Sequence, residues 1–133
     1  MATRASIKIS DKDGNFIANI YHHYDGYPEY LGQKLLDIVD EAPLVNGLSG
    51  PFTQFNGFPD LACSIVFQLK ETIGNGRVYL HTEDDYGECG EDYLYEIVEP
   101  TNLGEQPLVL VEHPDGTKLV RDVLNEIKEL YND

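Results

Sequence analysis

Positive charge is the scarcest property of this 133-residue sequence: nine lysines and arginines stand against 24 aspartates and glutamates, a net charge of −15. Such a chain meets repulsion at nucleic-acid phosphates and at anionic membranes unless a local basic patch offsets it, and no basic cluster is visible. Direct binding to nucleic acid or to a membrane is therefore not expected. A basic or nucleic-acid-binding protein suits the charge as a partner, although acidity also serves solubility by itself. Cysteine is scarce too. Cys63 and Cys89 are too few for a disulfide framework and are expected as free thiols, with Cys63 a small core residue among apolar neighbours. No apolar run approaches the roughly 20 residues of a membrane-spanning helix. The opening MATRASIKIS carries no apolar stretch of the secretory kind, which points to the cytoplasm. The signatures GxSxG, GxGxxG, HExxH, CxxC and the P-loop are all missing, so no cofactor is implied and an enzyme is not the leading expectation.

What the sequence does have is a core. Its hydrophobic fraction is 41%, with nine tyrosines and five phenylalanines, which offsets chain entropy in one modest domain spanning residues 1–133. Ala5, Ile7 and Ile9 alternate with Ser6 and Lys8, the period of a half-buried strand. Asp13-Gly14 signals a hairpin turn into FIANIYHHY. Asp11 and Asp13 resemble the start of a calcium loop, but the later acidic ligands of such a loop are missing. Pro28 suits the first turn of a helix, with Asp25 or the preceding turn as its cap, and Leu31, Leu35, Ile38 and Val39 form one helical face. Residues 41–58 read as a long loop. A second helix follows, with Asp60 near its N-terminus and Leu61, Ala62, Ile65, Val66 and Leu69 inward, and GNG at 74–76 stops it. RVYLH and DYLYEIV read as strands bounding an acidic loop, QPLVLVEH and TKLVR as a hairpin, and DVLNEIKELY as a closing helix with Val123, Leu124, Ile127 and Leu130 inward. Hairpins in this order predict an α+β fold: an antiparallel sheet of five to six strands with three helices on one face.

Two stretches concentrate chemistry. In IYHHYDGYPEYLG, side chains alternate across a strand, so His22 and His23 point to opposite sides and cannot hold one metal together. His22 and Tyr24 are placed with Ile20 on the inner face, and His23 outward. Asp25-Gly26 reads as a turn in which the carboxylate binds backbone N–H groups. The functional reading is that His23, Asp25, Tyr27 and Glu29 converge with Asn56 of the long loop around a helix N-terminus and hold an anion or a substrate. The structural reading is a fold signature in which these groups satisfy neighbouring backbone. In HTEDDYGECGEDY, the carboxylates Glu83, Asp84, Asp85, Glu88, Glu91 and Asp92 repel one another unless a cation or a basic partner neutralises them. Solvated loop charge is the plain alternative, and no metal ligands are assigned. Cys89 lies among these acids, which raise a thiol pKa and argue against a nucleophile.

Together ATRASIKISDKDGNFIANIYHHYDGYPEYLGQKLL, FNGFPDLACSIVFQLKE and GRVYLHTEDDYGECGEDYLYEI resemble a family of small bacteriophage and prophage proteins, over roughly residues 2 to 98. That family carries a His-Trp-Asp-Gly-Tyr-Pro motif, a Gly-x-x-Leu-Leu helix, an Asn-Gly segment and a Tyr-x-Tyr strand after a Gly-Glu turn. The matching positions here are Arg4, His23, Asp25, Gly26, Tyr27, Pro28, Gly32, Asn56 and Gly57, then Gly90, Glu91, Tyr93 and Tyr95. Tyr24 stands where the family has tryptophan. The resemblance brings no catalytic residues with it. It implies a phage setting, where small acidic proteins act on host enzymes or defence systems.

Three functions follow as expectations. The first is a non-enzymatic accessory protein that binds a host protein through its acidic surface, as a nucleic-acid mimic or an inhibitor of host defence. The second is a small-molecule, nucleotide or metal site, binding or enzymatic, around His23 and Asp25. The third is a virion or assembly component whose hairpins pair between chains.

Overall fold

Alternating apolar residues at both ends of a short polar turn make the first element a hairpin. Strands β1 (Ala5–Ser10) and β2 (Phe16–His22) pair antiparallel with Ile7 opposite Ile20. Asp11 closes the turn by accepting hydrogen bonds from the backbone N–H groups of Asp13 and Asn15, at 2.9 and 2.8 Å. Its carboxylate is thereby engaged in an Asx-type turn. The computed structural model describes residues 2–47, 54–71, 77–102 and 104–131. After β2 come a single π-helical turn, Pro28–Gly32, and helix α1 (Gln33–Val39). A two-residue ladder joins β3 (Leu44–Val45) to β4 (Phe55–Asn56), and helix α2 (Phe58–Lys70) leads to β5 (Val78–His81). Strands β6 (Tyr93–Val98), β7 (Leu108–His113) and β8 (Gly116–Leu119) precede helix α3 (Val120–Tyr131). The protein is α+β, with a six-stranded sheet in the order β5-β2-β1-β6-β7-β8.

The sheet is mixed rather than antiparallel. β1 and β6 run parallel at its centre, with Ile7 opposite Tyr95, while every other neighbouring pair is antiparallel. The reason lies in residues 82–92. β5 lies beyond β2 at one edge and runs in the same direction as β6, so the acidic segment between them is a crossover over β2 and β1 and not a hairpin turn. Parallel neighbours require such a crossover.

One face of the sheet is dry. Ile7, Ile9, Ile20, Tyr95, Ile97 and Val111 are fully or almost fully buried there, in one cluster with Leu31 and Leu35 of the helical segment, Leu61 and Ile65 of α2, and Val120 of α3. Each such side chain contributes on the order of 1.5–3 kcal/mol relative to exposure, which anchors the helices to that face. Among the described residues no helix is long and apolar enough to cross a membrane.

Several local expectations need correction. Pro28 does open the helical segment, but Asp25 does not cap it: Tyr27 occupies the cap position and no side chain bonds to the turn's backbone. Cys63 is exposed on α2 and is not a core residue, because the apolar face of that helix is carried by Phe58, Leu61, Ala62, Ile65 and Leu69, and Val66 is only half-buried. Leu130 is 78% exposed, since α3 meets the core through its first half, with Val123 and Leu124 buried and Ile127 half-buried. The long loop contains the β3–β4 ladder, and its residues 48–53 lie outside the described residues, as does GNG at 74–76.

Candidate functional site

The face of the sheet away from the helices carries the chemistry. On β2 and β5 the residues at alternate positions project there, so cross-strand partners Tyr21 and Tyr79, and His81 opposite Asn19, share one surface. The β2–β5 ladder continues one residue further through His23, whose backbone N–H donates to the Arg77 carbonyl at 2.8 Å. Arg4, just before β1, and Tyr24 complete a recess of about 450 Å³ lined by Arg4, Tyr21, His23, Tyr24, Tyr79 and His81.

Its walls are aromatic and fixed by mutual contacts. The Tyr21 and His81 rings stack in parallel at 5.2 Å, and Tyr79 lies 6.0 Å from Tyr21. The Tyr21 hydroxyl shares a 2.8 Å hydrogen bond with Nδ1 of His23, and the His23 ring meets Tyr24 edge-on at 4.6 Å. On the far side of Tyr24 the Arg77 guanidinium sits 5.8 Å from the ring centre. Burial holds the Tyr21 hydroxyl pKa above its ordinary value, partly opposed by Arg4, so the phenol stays protonated and able to donate. The Arg4 guanidinium donates to the Cys89 carbonyl at 3.5 Å and forms no ion pair with any carboxylate among the described residues. Nδ1 of His81 lies 3.6 Å from the Cys89 sulfur. Burial and then Glu91, Asp85 and Glu88 push that thiol's pKa up, which disfavours the reactive thiolate.

The five residues expected to converge do not. His23 lies in the recess. Asp25 lines a separate cleft of about 20 Å³ on the helical side, with His22, Tyr30, Lys34, Glu71 and Arg77. There Lys34 and Glu71 form a hydrogen-bonded ion pair, and burial lowers the pKa of His22 below the ordinary imidazole value. Tyr27 and Glu29 lie on the exposed side of the π-helical turn. Asn56 belongs to the β3–β4 ladder, where its Oδ1 accepts from the Gly47 N–H at 2.8 Å and its own N–H donates to Asp60. The DGYP stretch is thus a junction of the fold. Asp25 adopts a left-handed φ of 56°, Gly26 donates its N–H to the Thr3 carbonyl, and the Tyr27 carbonyl accepts from Tyr30 and Leu31.

The acidic segment is also divided by the fold. Glu91 turns inward and accepts hydrogen bonds from the Ser6 hydroxyl and the backbone of Gly87 and Cys89, at 2.8, 2.8 and 2.6 Å. Asp92 accepts from the Arg4 N–H, and Glu83 pairs with Lys8 at 3.7 Å. Asp84, Asp85 and Glu88 remain exposed. Among the described residues no three His, Cys, Asp or Glu side chains are grouped to hold a metal ion. Tyr86, within this crossover, donates its hydroxyl to the Tyr95 carbonyl at 2.8 Å; burial, with Glu96 and Glu112 nearby, raises its pKa.

Arg4 entered the sequence reading only through the resemblance, and Tyr21, Tyr79 and His81 did not enter it as site residues. The signal that could have found them is the matched alternation Tyr-x-His in YHH and in YLH, which places four polar rings on one face once the two strands are paired. No protein family, curated protein or solved structure matches the chain.

Proposed function

We propose that the protein is a non-enzymatic binding protein whose ligand site is the recess of Arg4, Tyr21, His23, Tyr24, Tyr79 and His81. The observation that carries this reading is the lining itself: three phenols, two imidazoles and a guanidinium meet on the one sheet face that the helices leave uncovered. Its volume falls in the range of small-ligand sites, and rings braced against one another lose little freedom when a ligand arrives. The phage-type resemblance supplies the setting, that of an accessory protein acting in the host cytoplasm. The site is recentred from the expected group: His23 stays, and Asp25, Tyr27, Glu29 and Asn56 give way to Arg4 and the β2–β5 rings.

A second reading, capture of a basic host protein, is favoured by the exposure of Asp84, Asp85 and Glu88. It loses ground because Glu91 is engaged within the fold and the exposed Glu83 and Asp92 already meet Lys8 and the Arg4 N–H. Nuclear magnetic resonance separates the two. With a small-molecule library, shifts centred on Tyr79, His81 and His23 support the recess; shifts confined to residues 84–88 on adding a basic protein support the acidic rim.

A further inference from the structure

Resting on the recess as the binding site, we infer that its ligand is a flat heterocycle bearing a phosphate, the chemistry of a nucleoside monophosphate. In a chain of net charge −15, the recess lining contains no carboxylate at all. The lining offers donors instead: the Arg4 guanidinium, the hydroxyls of Tyr24 and Tyr79, the His81 imidazole, and one proton from the Tyr21–His23 pair, whose members already share a hydrogen bond. A cation meets ring faces here, but Arg77 and Lys70 already lie over Tyr24 and Tyr79, the Arg4 guanidinium repels it, and no carboxylate of the lining neutralises it. An anion finds in this recess a guanidinium and hydrogen-bond donors with no carboxylate in the lining.

Arg4 is the anchor. Its side chain is exposed, bonds to protein only through the long contact to the Cys89 carbonyl, and has no acidic partner among the described residues. Guanidinium geometry suits two phosphate oxygens at once. Nδ1 of each imidazole is engaged within the protein, His23 with the Tyr21 hydroxyl and His81 beside the Cys89 sulfur, so each ring donates to an anion in the tautomer or protonated form that carries a proton on Nε2. That leaves Nε2 of each ring without a hydrogen bond among the described residues.

The flat part of the ligand follows from the rings. Tyr24 and Tyr79 are 44% and 45% exposed; Tyr79 lies 6.0 and 6.3 Å from the two rings of the Tyr21–His81 stack, with the Lys70 ammonium 6.0 Å from its own ring centre, and Tyr24 packs edge-on against His23. An exposed phenol face beside a phosphate-binding guanidinium is a stacking platform for a base, and stacking on tyrosine tolerates any base because every base has a π-face.

Isothermal titration calorimetry tests this with adenosine 5′-monophosphate, guanosine 5′-monophosphate, adenosine and inorganic phosphate. Both monophosphates are expected to bind at least tenfold more tightly than adenosine or phosphate alone. Arg4→Gln should weaken the monophosphates tenfold or more and leave adenosine unchanged, whereas Tyr79→Leu should weaken both, with circular dichroism confirming that each variant is folded. If the monophosphates bind no better than adenosine, or Arg4→Gln leaves them unaffected, the inference is overturned. Should a library of uncharged or cationic compounds shift the resonances of His23 and His81 while the monophosphates do not, the recess stands and the ligand class falls. If nothing shifts those resonances, both readings fall.

Discussion

The Tyr95 hydroxyl, fully buried on β6, donates a 2.8 Å hydrogen bond to the carbonyl of Gly26, joining the centre of the sheet to the DGYP turn across 69 positions of sequence. The turn fits only without a side chain at Gly26, where a Cβ would lie 2.7 Å from that of Ala5 and 3.0 Å from the Thr3 carbonyl. Two substitutions probe the joint. Tyr95→Phe leaves a buried carbonyl without its donor and is expected to cost about 1–3 kcal/mol. Gly26→Ala forces β1 and the turn apart at a similar or larger cost, about 1–3 kcal/mol for overpacking. Urea denaturation checks both, and an unchanged midpoint for either would refute this account of the turn.

Asp25 holds a left-handed conformation, φ 56°, that aspartate tolerates and β-branched residues do not. Asp25→Asn and Asp25→Gly should therefore leave the melting temperature nearly unchanged, while Asp25→Val should lose roughly 1–2 kcal/mol. Equal losses for all three would mean that the carboxylate matters and the backbone does not.

His22 sets an acid limit on stability. Burial first, with a smaller contribution from Lys34, lowers its folded-state pKa below 6.5, against the opposing pull of the Tyr24 backbone, Asp25 and Glu71. Below pH 6.5 the unfolded chain binds the proton that the folded chain refuses, so stability rises with pH in the window beneath 6.5. The slope reaches at most about 1.4 kcal/mol per pH unit for one proton. In His22→Gln that part of the slope should vanish, which denaturation between pH 5 and 7 measures against the parent; an identical slope in the two proteins would exclude His22 as its source.

Glu91 holds the crossover to the sheet. Burial raises its pKa, but hydrogen bonds from Ser6, its own backbone, Cys89 and Gly87 outweigh burial and leave it below the usual glutamate value. A lowered carboxyl pKa means stability present above pH 4.5 and lost as pH falls through the folded value. Glu91→Gln is expected to cost about 1.5–3 kcal/mol at neutral pH, the range for hydrogen bonds to a charged group, and less in acid. Hydrogen exchange at the Gly87 and Cys89 amides should speed up, and unchanged protection there would show that other contacts hold the segment.

Much of the architecture was legible in the sequence because it is local. The period of two in residues 5–9, the Asp-Gly turn and the helical faces of Leu31, Leu35, Ile38, Val39 and of Leu61, Ala62, Ile65, Leu69 each follow from neighbours a few positions apart, and burial fell where those periods placed it. The sequence by itself thus determined the strands of the six-stranded sheet and the three α-helices, with the apolar side of most of them, but not the β3–β4 ladder or the exposure of Cys63 and Leu130. It also placed His22 inward and His23 outward, since alternation needs no partner strand. What only the tertiary structure decided is which strands lie side by side. The parallel pairing of β1 with β6 and the run of residues 82–92 across the open face arise from packing between distant segments, for which loop length and local pattern carry no register. For that reason the carboxylates that look like one surface in sequence are divided between solvent and fold. Arg4, His23 and His81, which no spacing relates, come together because the helices need one face of the sheet and leave the other to these side chains.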